Sequence, residues 1–356
     1  IIMFFSSLFQ VLATVAIVTL DLGFCAIFVV MVITALVRFS FGLGIMLRSF
    51  IVPTFGFTKS DFWRFVRESS IVGLGVFLYL NLFRINTILL DWIHGSEETA
   101  YYQSVYNLVI QLQVIPTVLT VAMFPGLARR FTDPKALKDV LCSRMIRYFA
   151  IFGVTISWPL FCLSGEIVAI LGEKYAYSAI PLRILAWTCI GLFVDMACNN
   201  ILVAAGKQSL TLLTVIIAMI INLCIAYFLI PAFGSAGAAM TALATDISLL
   251  IISTGIVLWW CKGLPKLLSC FGGLAISTAA ALATTLILCK ELNPFLAVIV
   301  GGIVYLTIIM LTGTISIKEV KEILYTRKGP TEIKASKPSK VLLIGWDGAT
   351  FDILSP

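Results

Sequence analysis

Polar side chains interrupt the long apolar segments of this chain at several points. The candidates for chemistry are Arg38, Asn81, Arg84, Asn86, Gln111, Asp195, Asn199 and Asp246. Charged groups inside a membrane span are costly, and they usually face a cavity or a partner. We therefore expect these residues to line a water-filled cavity that accepts a polar, anionic cargo. The alternative is that the amides only hydrogen-bond between helices and hold the bundle together.

Arg84 is the strongest candidate for contact with such a cargo. It lies deep in the segment LNLFRINTILL, between Asn81 and Asn86, with no acidic residue within one helical turn. A guanidinium group binds a phosphate through two parallel hydrogen bonds and does not lose its charge. A structural alternative is that Arg84 forms an ion pair with Asp195 or Asp246.

Two further charged residues have open interpretations. Arg38 either lines the cavity, extends its head group to the membrane surface, or pairs with a carboxylate. Asp246 is either a site for a proton or a sodium ion, or the partner of an arginine.

The composition predicts the elements that position these residues. Of the 356 residues, 60% are hydrophobic and 12% are charged, whereas an average globular chain is about 45–50% apolar and about 25% charged. The mean hydropathy is +1.05. Because lipid cannot satisfy backbone polar groups, a run of about 20 apolar residues crosses a bilayer as a helix. We predict an all-α, polytopic membrane bundle of about ten transmembrane helices. The predicted spans are residues 1–20, 22–47, 69–93, 104–126, 145–164, 179–204, 209–230, 236–260, 267–289 and 294–315.

The loops between these spans alternate in positive charge. Lysine and arginine are concentrated in the loops at residues 48–67, 129–144, 207 and 262–266, and after residue 315. The positive-inside rule places these loops and the C-terminus in the cytoplasm, with the intervening loops outside. The same bias accounts for the net charge of +7, so nucleic acid is not an expected partner.

Other residue types do not predict a metal or catalytic centre in the membrane region. His94 is the single histidine, and no two of the nine cysteines are spaced as C-x-x-C. The cysteines are best interpreted as small apolar fillers. No cofactor is expected for this region.

Two prolines lie inside predicted spans. Pro116 and Pro159 each remove a backbone hydrogen bond and therefore predict a kink. Kinked helices around a polar cavity suit a protein that opens alternately to two sides.

Three stretches, taken in order, carry a resemblance to a known family. They are RINTILLDWIHGSEETAYYQSVYNL (84–108), LGEKYAYSAIPLRILAW (171–187) and INLCIAYFLIPAFGSAGAAMTALATD (221–246). Together they resemble the Wzx-type polysaccharide flippases of the multidrug/oligosaccharidyl-lipid/polysaccharide exporter superfamily. Two positions depart from the family pattern: Ala100 stands in place of a glycine, and Asn86 in place of a frequent aspartate.

The resemblance covers residues 1–320 and implies part of a MATE-like exporter fold. It implies a multi-pass plasma-membrane transporter for cell-surface polysaccharide biosynthesis, which performs no covalent chemistry. The implied cargo is a polyprenyl-pyrophosphate-linked oligosaccharide, flipped from the cytoplasmic to the outer leaflet by alternating access. Besides the lipid bilayer and this glycan, a polysaccharide polymerase or glycosyltransferases are expected partners. Because the family has more spans, about four N-terminal spans are expected to be missing.

The C-terminal segment differs in character from the rest of the chain. We expect a transmembrane region over 1–316, a cytoplasmic amphipathic helix and linker over 317–339, and the start of an α/β hydrolase-like domain over 340–356. The last part, KVLLIGWDGATFDILSP, resembles the opening of alkaline-phosphatase-superfamily phosphodiesterases. That resemblance implies that Asp347 is a ligand of a divalent metal, and zinc is the metal expected. One carboxylate is not a complete metal site, so we expect no catalysis from this segment.

Two other functions are compatible with the sequence. The first is a cation-coupled multidrug exporter of the same superfamily, in which Asp195 and Asp246 carry the coupling ion. The second is a membrane-anchored phosphodiesterase whose spans are mainly scaffold.

Overall fold

The computed structural model describes residues 2–19, 24–49, 58–121, 123, 138–260, 265–289 and 293–312. Within these ranges every regular element is a helix, which confirms the all-helical prediction. In the same part of the chain, seven helices are long and apolar enough to cross a membrane. One of them, 53 residues long, contains two of the predicted spans. The molecule is therefore a polytopic helical membrane protein.

The chain divides into two compact units, with the boundary after Arg64. In the first unit, helix α1 (Ile2–Thr19) packs against helix α2 (Phe24–Ser49). Both helices consist almost entirely of apolar residues, as bilayer-spanning segments require.

The second unit starts within helix α3 (Lys59–Leu82) and holds the other described elements. In chain order they are α4 (Arg84–His94), α5 (Ser96–Gln111), helical residues 114–121, α6 (Lys138–Cys162), α7 (Ser164–Leu171), a 3-10 helix (Glu173–Ser178), α8 (Ala179–Ala186), α9 (Thr188–Ala204), α10 (Gln208–Trp260), α11 (Pro265–Leu288) and α12 (Pro294–Leu311).

Four predicted spans contain a short interruption of one or two residues, and at Phe83, Leu112 and Trp187 the backbone dihedrals stay in the right-handed helical region. The interruptions lie at Phe83, at Leu112–Gln113, at Leu163 and at Trp187. At the second and fourth of these, backbone amides bond three residues back instead of four, as from Gln113 to the Ile110 carbonyl and from Trp187 to the Ile184 carbonyl. Such short 3-10 stretches inside a helix are frequent at hinges and functional sites.

The two prolines predicted to cause kinks lie close to interruptions of this kind. Pro159 is inside α6, four residues before the interruption at Leu163. Pro116 lies in the segment 114–121, directly after the interruption at Leu112–Gln113. The breaks at Phe83 and Trp187 have no adjacent proline or glycine.

Helix α10 is a hairpin of two helical arms, residues 208–233 and 235–260, joined at Gly234. Gly234 has φ +54° and ψ −128°, which is outside the helical region and strained for any residue with a Cβ. The arms meet side by side: a Cβ on Gly237 would collide with the carbonyl of Leu229. Further from the turn, Asn222 Nδ2 donates to Thr245 Oγ1 at 2.9 Å. The two spans predicted at 209–230 and 236–260 are these two arms.

Two apolar clusters form the core of the second unit. One joins α6, α9, α11 and α12 around Phe149, Trp158, Phe193 and Tyr305. The other joins α4, α5, α8 and the α10 hairpin, and it includes Leu90, Val105, Leu182, Ile230 and Ala239. Large apolar side chains also cover the outer helix faces, for example Phe77, Trp92 and Leu306. Lipid-facing surfaces are expected to be apolar in this way.

Candidate functional site

A small cavity lies in the second unit, at the level where the spans are interrupted. Its lining includes Phe83, Tyr106, Gln113, Leu185, Thr188 and Asp246. Phe83 is itself an interruption, Gln113 belongs to one, and Thr188 follows the one at Trp187. The cavity volume of about 10 Å³ is roughly the space that one water molecule needs. Polar and apolar side chains at and beside the interruptions thus meet around one small space inside the second unit.

Asp246 lines the cavity, and a second carboxylate lies on a neighbouring helix. Asp246, on the second arm of α10, is only 2% exposed, and its Oδ1 has no hydrogen-bond partner among the described residues. Asp195, on α9, lies within electrostatic range of Asp246. The approach of the two helices depends on Gly191, where a Cβ would lie 2.8 Å from the Asp246 Cβ. Such a pair can hold a proton or a small cation between helices.

Three tyrosines lie within electrostatic range of these carboxylates, and the sequence analysis did not identify them. Tyr79 on α3 is within electrostatic range of both Asp195 and Asp246, and Tyr102 and Tyr106 on α5 are within range of Asp246. The rings of Tyr102 and Tyr106 stack with their centroids 5.4 Å apart. The four-residue spacing of Tyr102 and Tyr106 could have indicated that they lie together, because residues at i and i+4 share a helix face.

Arg84 is the first residue of α4 and follows directly on the interruption at Phe83. Its side chain is exposed and lies within electrostatic range of Tyr106, which lines the cavity. Among the described residues Arg84 has no ion-pair or hydrogen-bond partner. The ion pair with Asp195 or Asp246, considered above as an alternative, is therefore not formed in this structure.

The predicted amide residues occupy different environments. Asn86 is fully buried near Tyr102, and neither Nδ2 nor Oδ1 has a hydrogen-bond partner in the described part of the chain. Asn81 donates to its own helix, from Nδ2 to the Phe77 carbonyl at 2.7 Å. Gln111 is exposed near the end of α5, and Asn199 is half-buried on α9. Of these four predicted amides, Asn86 is the one that the described residues place beside a tyrosine of the cluster, Tyr102.

Two predicted site residues lie elsewhere. Arg38 is half-buried on α2, in the first unit. Asp347, predicted to bind a metal, lies outside the described residues, as do the linker 317–339 and the segment 340–356.

Three glycine turns gather at one end of the second unit. Gly95, Gly172 and Gly234 all have positive φ. His94 Nε2 is 2.9 Å from the Ile230 carbonyl, which connects the first turn to the third. The Tyr101 and Tyr177 rings, 5.7 Å apart, connect the first turn to the second. These three turns belong to loops that the charge pattern predicts to lie on the same side of the membrane, and their position at one end of the unit agrees with that prediction.

The opposite end of the bundle has a contact of its own. Asn200 Nδ2 donates to Thr120 Oγ1 at 3.2 Å, where residues 114–121 approach the end of α9. The turn at Gly206 follows directly, and Lys207 next to it is exposed. Lys207 belongs to one of the basic loops that the positive-inside rule places in the cytoplasm.

Comparison with known proteins adds one relative. No protein-family model matches the chain. A stretch of 189 residues is 25% identical to a protein of Shigella flexneri described as "Putative O-antigen transporter". The match covers 52% of this chain and 42% of the Shigella protein, so the chain spans less than half of that relative. The similarity agrees with the resemblance drawn from the three sequence stretches.

Proposed function

We propose that the protein is a membrane transporter that flips a polyprenyl-pyrophosphate-linked oligosaccharide from the cytoplasmic to the outer leaflet of the plasma membrane. The similarity to the Shigella protein supports this class of cargo. The observation that carries the proposal is the position of Arg84. A guanidinium group inside an apolar span, exposed and directly after Phe83, which lines the cavity, is suited to receive a diphosphate.

The interrupted spans support movement by alternating access. Discontinuous helices near the middle of the membrane expose backbone groups to a cargo and allow the two halves of a span to tilt separately. The cavity at the interruptions is far smaller than a sugar, so entry of such a cargo would require the surrounding helices to move apart.

A reconstituted assay tests this function. Proteoliposomes loaded with a fluorescent, pyrophosphate-linked oligosaccharide on a polyprenyl carrier are exposed to a membrane-impermeant glycosidase. We expect glycan to become accessible faster than in protein-free liposomes, and a neutral polyprenyl-linked glycan of the same size to move much more slowly. Equal rates with and without the protein would overturn the proposal.

A cation-coupled multidrug exporter remains the second candidate, and the carboxylate pair favours it. Asp246 is buried and the half-buried Asp195 lies within electrostatic range of it, an arrangement in which a bound proton or cation would relieve the repulsion between the two carboxylates. Efflux of a cationic dye driven by a proton or sodium gradient, and lost in Asp246→Asn, would support this candidate. Dye efflux that is absent while glycan flipping is present would exclude it.

On the leading proposal, the basic loops and the C-terminus are cytoplasmic. The polymerase or glycosyltransferases that handle the same glycan would then meet the transporter at the membrane.

A further inference from the structure

Two turns of the second unit are tied together by a pair of side-chain bonds. The Ser235 amide donates to Glu98 Oε2 at 2.9 Å, and His94 Nε2 lies 2.9 Å from the Ile230 carbonyl. The carbonyl can only accept, so Nε2 carries the hydrogen and the histidine is the donor. The bonds bridge 137 and 136 positions of the sequence. Both involve residues beside the turns at Gly95 and Gly234.

The two bonds match the polarity of the helix ends that they contact. Ser235 is the first residue of the second α10 arm, where free amides give the helix end a partial positive charge that favours a carboxylate. Ile230 is near the end of the first arm, where free carbonyls favour a donor. Each side chain therefore satisfies a backbone group that the break at Gly234 exposes.

Close packing at Gly234 makes the contact specific. A Cβ at this position would lie 3.0 Å from Glu98 Oε2, and φ of +54° is itself unfavourable for other residues. The carboxylate of Glu98 thus approaches the turn through space that only glycine leaves open. The neighbouring Glu97 does not take part, because its Oε1 accepts from Tyr101 OH at 2.6 Å within α5.

We propose that His94 and Glu98 form a clamp that sets the axial position of the α10 hairpin against α4 and α5, and so positions the polar site. Helices are stiff rods, and Asp246 lies 11 residues, about 17 Å, from the clamped Ser235. On the other side of the clamp, Asn86 lies eight residues before His94 on α4. A clamp at the turns therefore fixes the height of Asp246 relative to Asn86 and its neighbour Tyr102. His94 and Glu98 are positioning residues, since neither touches the cavity.

Backbone hydrogen exchange tests the clamp directly, without reference to transport. In the protein reconstituted in lipid nanodiscs, we expect a peptide covering residues 231–240 to exchange about fivefold faster in Glu98→Ala than in wild type. That factor corresponds to about 1 kcal/mol for a lost helix cap. Glu97→Ala is the matched control and should leave this peptide unchanged. Glu98→Gln keeps an acceptor oxygen and should restore most of the protection.

The histidine has its own pair of variants. His94→Gln keeps a donor and should behave like wild type, whereas His94→Phe keeps a ring without a donor and should speed exchange at residues 227–234. Unchanged exchange in both Glu98→Ala and His94→Phe would overturn the clamp, and so would equal effects of Glu97→Ala and Glu98→Ala.

The consequence for the site rests on the proposed function and is measured separately. In the glycan-flipping assay, normalised to folded protein, Glu98→Ala and His94→Phe should be several-fold slower than Glu97→Ala. If Glu98→Ala and His94→Phe exchange faster but flip the glycan at the wild-type rate, the two bonds exist but do not position the site. Failure of wild-type protein to flip the glycan would count against the proposed function alone.

Discussion

Asn222 and Thr245 form a hydrogen bond of 2.9 Å between the two arms of the α10 hairpin, one residue before Asp246. Asn222 is fully buried, and its Oδ1 has no hydrogen-bond partner in the described part of the chain. The amide is held only through its Nδ2 group, and the threonine that holds it is adjacent to the carboxylate of the site. This bond therefore couples the packing of the hairpin to the position of Asp246.

Removal of this bond should destabilise the protein. Thr245→Val keeps the side-chain shape but leaves the buried Asn222 without its acceptor, so we expect a loss of about 1–2 kcal/mol. The thermal midpoint in detergent measures the effect. Thr307→Val is the control, since Thr307 Oγ1 only donates to the Ile303 carbonyl on an exposed face of α12. A midpoint shift that is equal in the two variants would contradict the prediction.

Gly191 should be intolerant of even one added carbon. A Cβ there would lie 2.8 Å from the Asp246 Cβ and 2.9 Å from its carbonyl oxygen, so Gly191→Ala must push α9 away from α10. We expect a loss of about 1–3 kcal/mol, as overpacking gives in cores. In Gly302→Ala on α12 the added carbon would meet nothing within 4 Å, and the midpoint should be unchanged or higher. Equal stability of Gly191→Ala and wild type would show that the helices separate freely.

Substitution of Arg84 should separate binding from folding. Arg84→Ala should abolish glycan flipping without lowering the amount of folded protein, because Arg84 is exposed and holds no other described residue. Arg84→Lys keeps the charge but loses the planar pair of donors, and should retain partial activity. Arg183→Ala is the control: Arg183 is also exposed, but its Nε donates to Ser164 Oγ at 2.9 Å. Wild-type flipping by Arg84→Ala would refute a contact with the cargo.

The orientation of the bundle can be tested at its two ends. In a cysteine-free background, Lys174→Cys beside the Gly172 turn should react with an impermeant thiol reagent from outside intact cells. Lys207→Cys beside the Gly206 turn should react only after the membrane is opened. Both lysines are exposed, so a difference in labelling reports sidedness. The reverse pattern would invert the topology that the positive-inside rule predicts.

The sequence was sufficient to predict the helices, and Pro116 and Pro159 lie near two of the interruptions, but nothing in the sequence marked those at Phe83 and Trp187. The described parts of all ten predicted spans are helical apart from single or paired turn residues. The turn between the spans predicted at 209–230 and 236–260 was also predictable, because glycine, here Gly234, acts locally. The breaks at Phe83 and Trp187 have no such marker, and a hydropathy window averages across them.

Sequence analysis named Asp246, Asp195, Arg84 and Asn86 as candidates, and their role in a functional site stays a prediction. Asp246, Asp195 and Arg84 stood out because charge is rare in apolar spans. Tyr79, Tyr102 and Tyr106 did not, since tyrosine is common in membrane helices and its hydroxyl gains meaning only from its neighbours. The contacts of His94 and Glu98 with the α10 turn connect residues more than 130 positions apart, which spacing along the chain cannot indicate.

The interrupted spans have a consequence for the lipids around the protein. A straight helix has one fixed length and must tilt as a whole when the bilayer is thicker or thinner than its apolar stretch. At Trp187 the backbone stays helical but its amide bonds three residues back. A span with such a weakened point can instead change the angle between its halves, while each half keeps its own backbone hydrogen bonds. The second unit should therefore adapt to membranes of different acyl-chain length with little strain on the turns at either end.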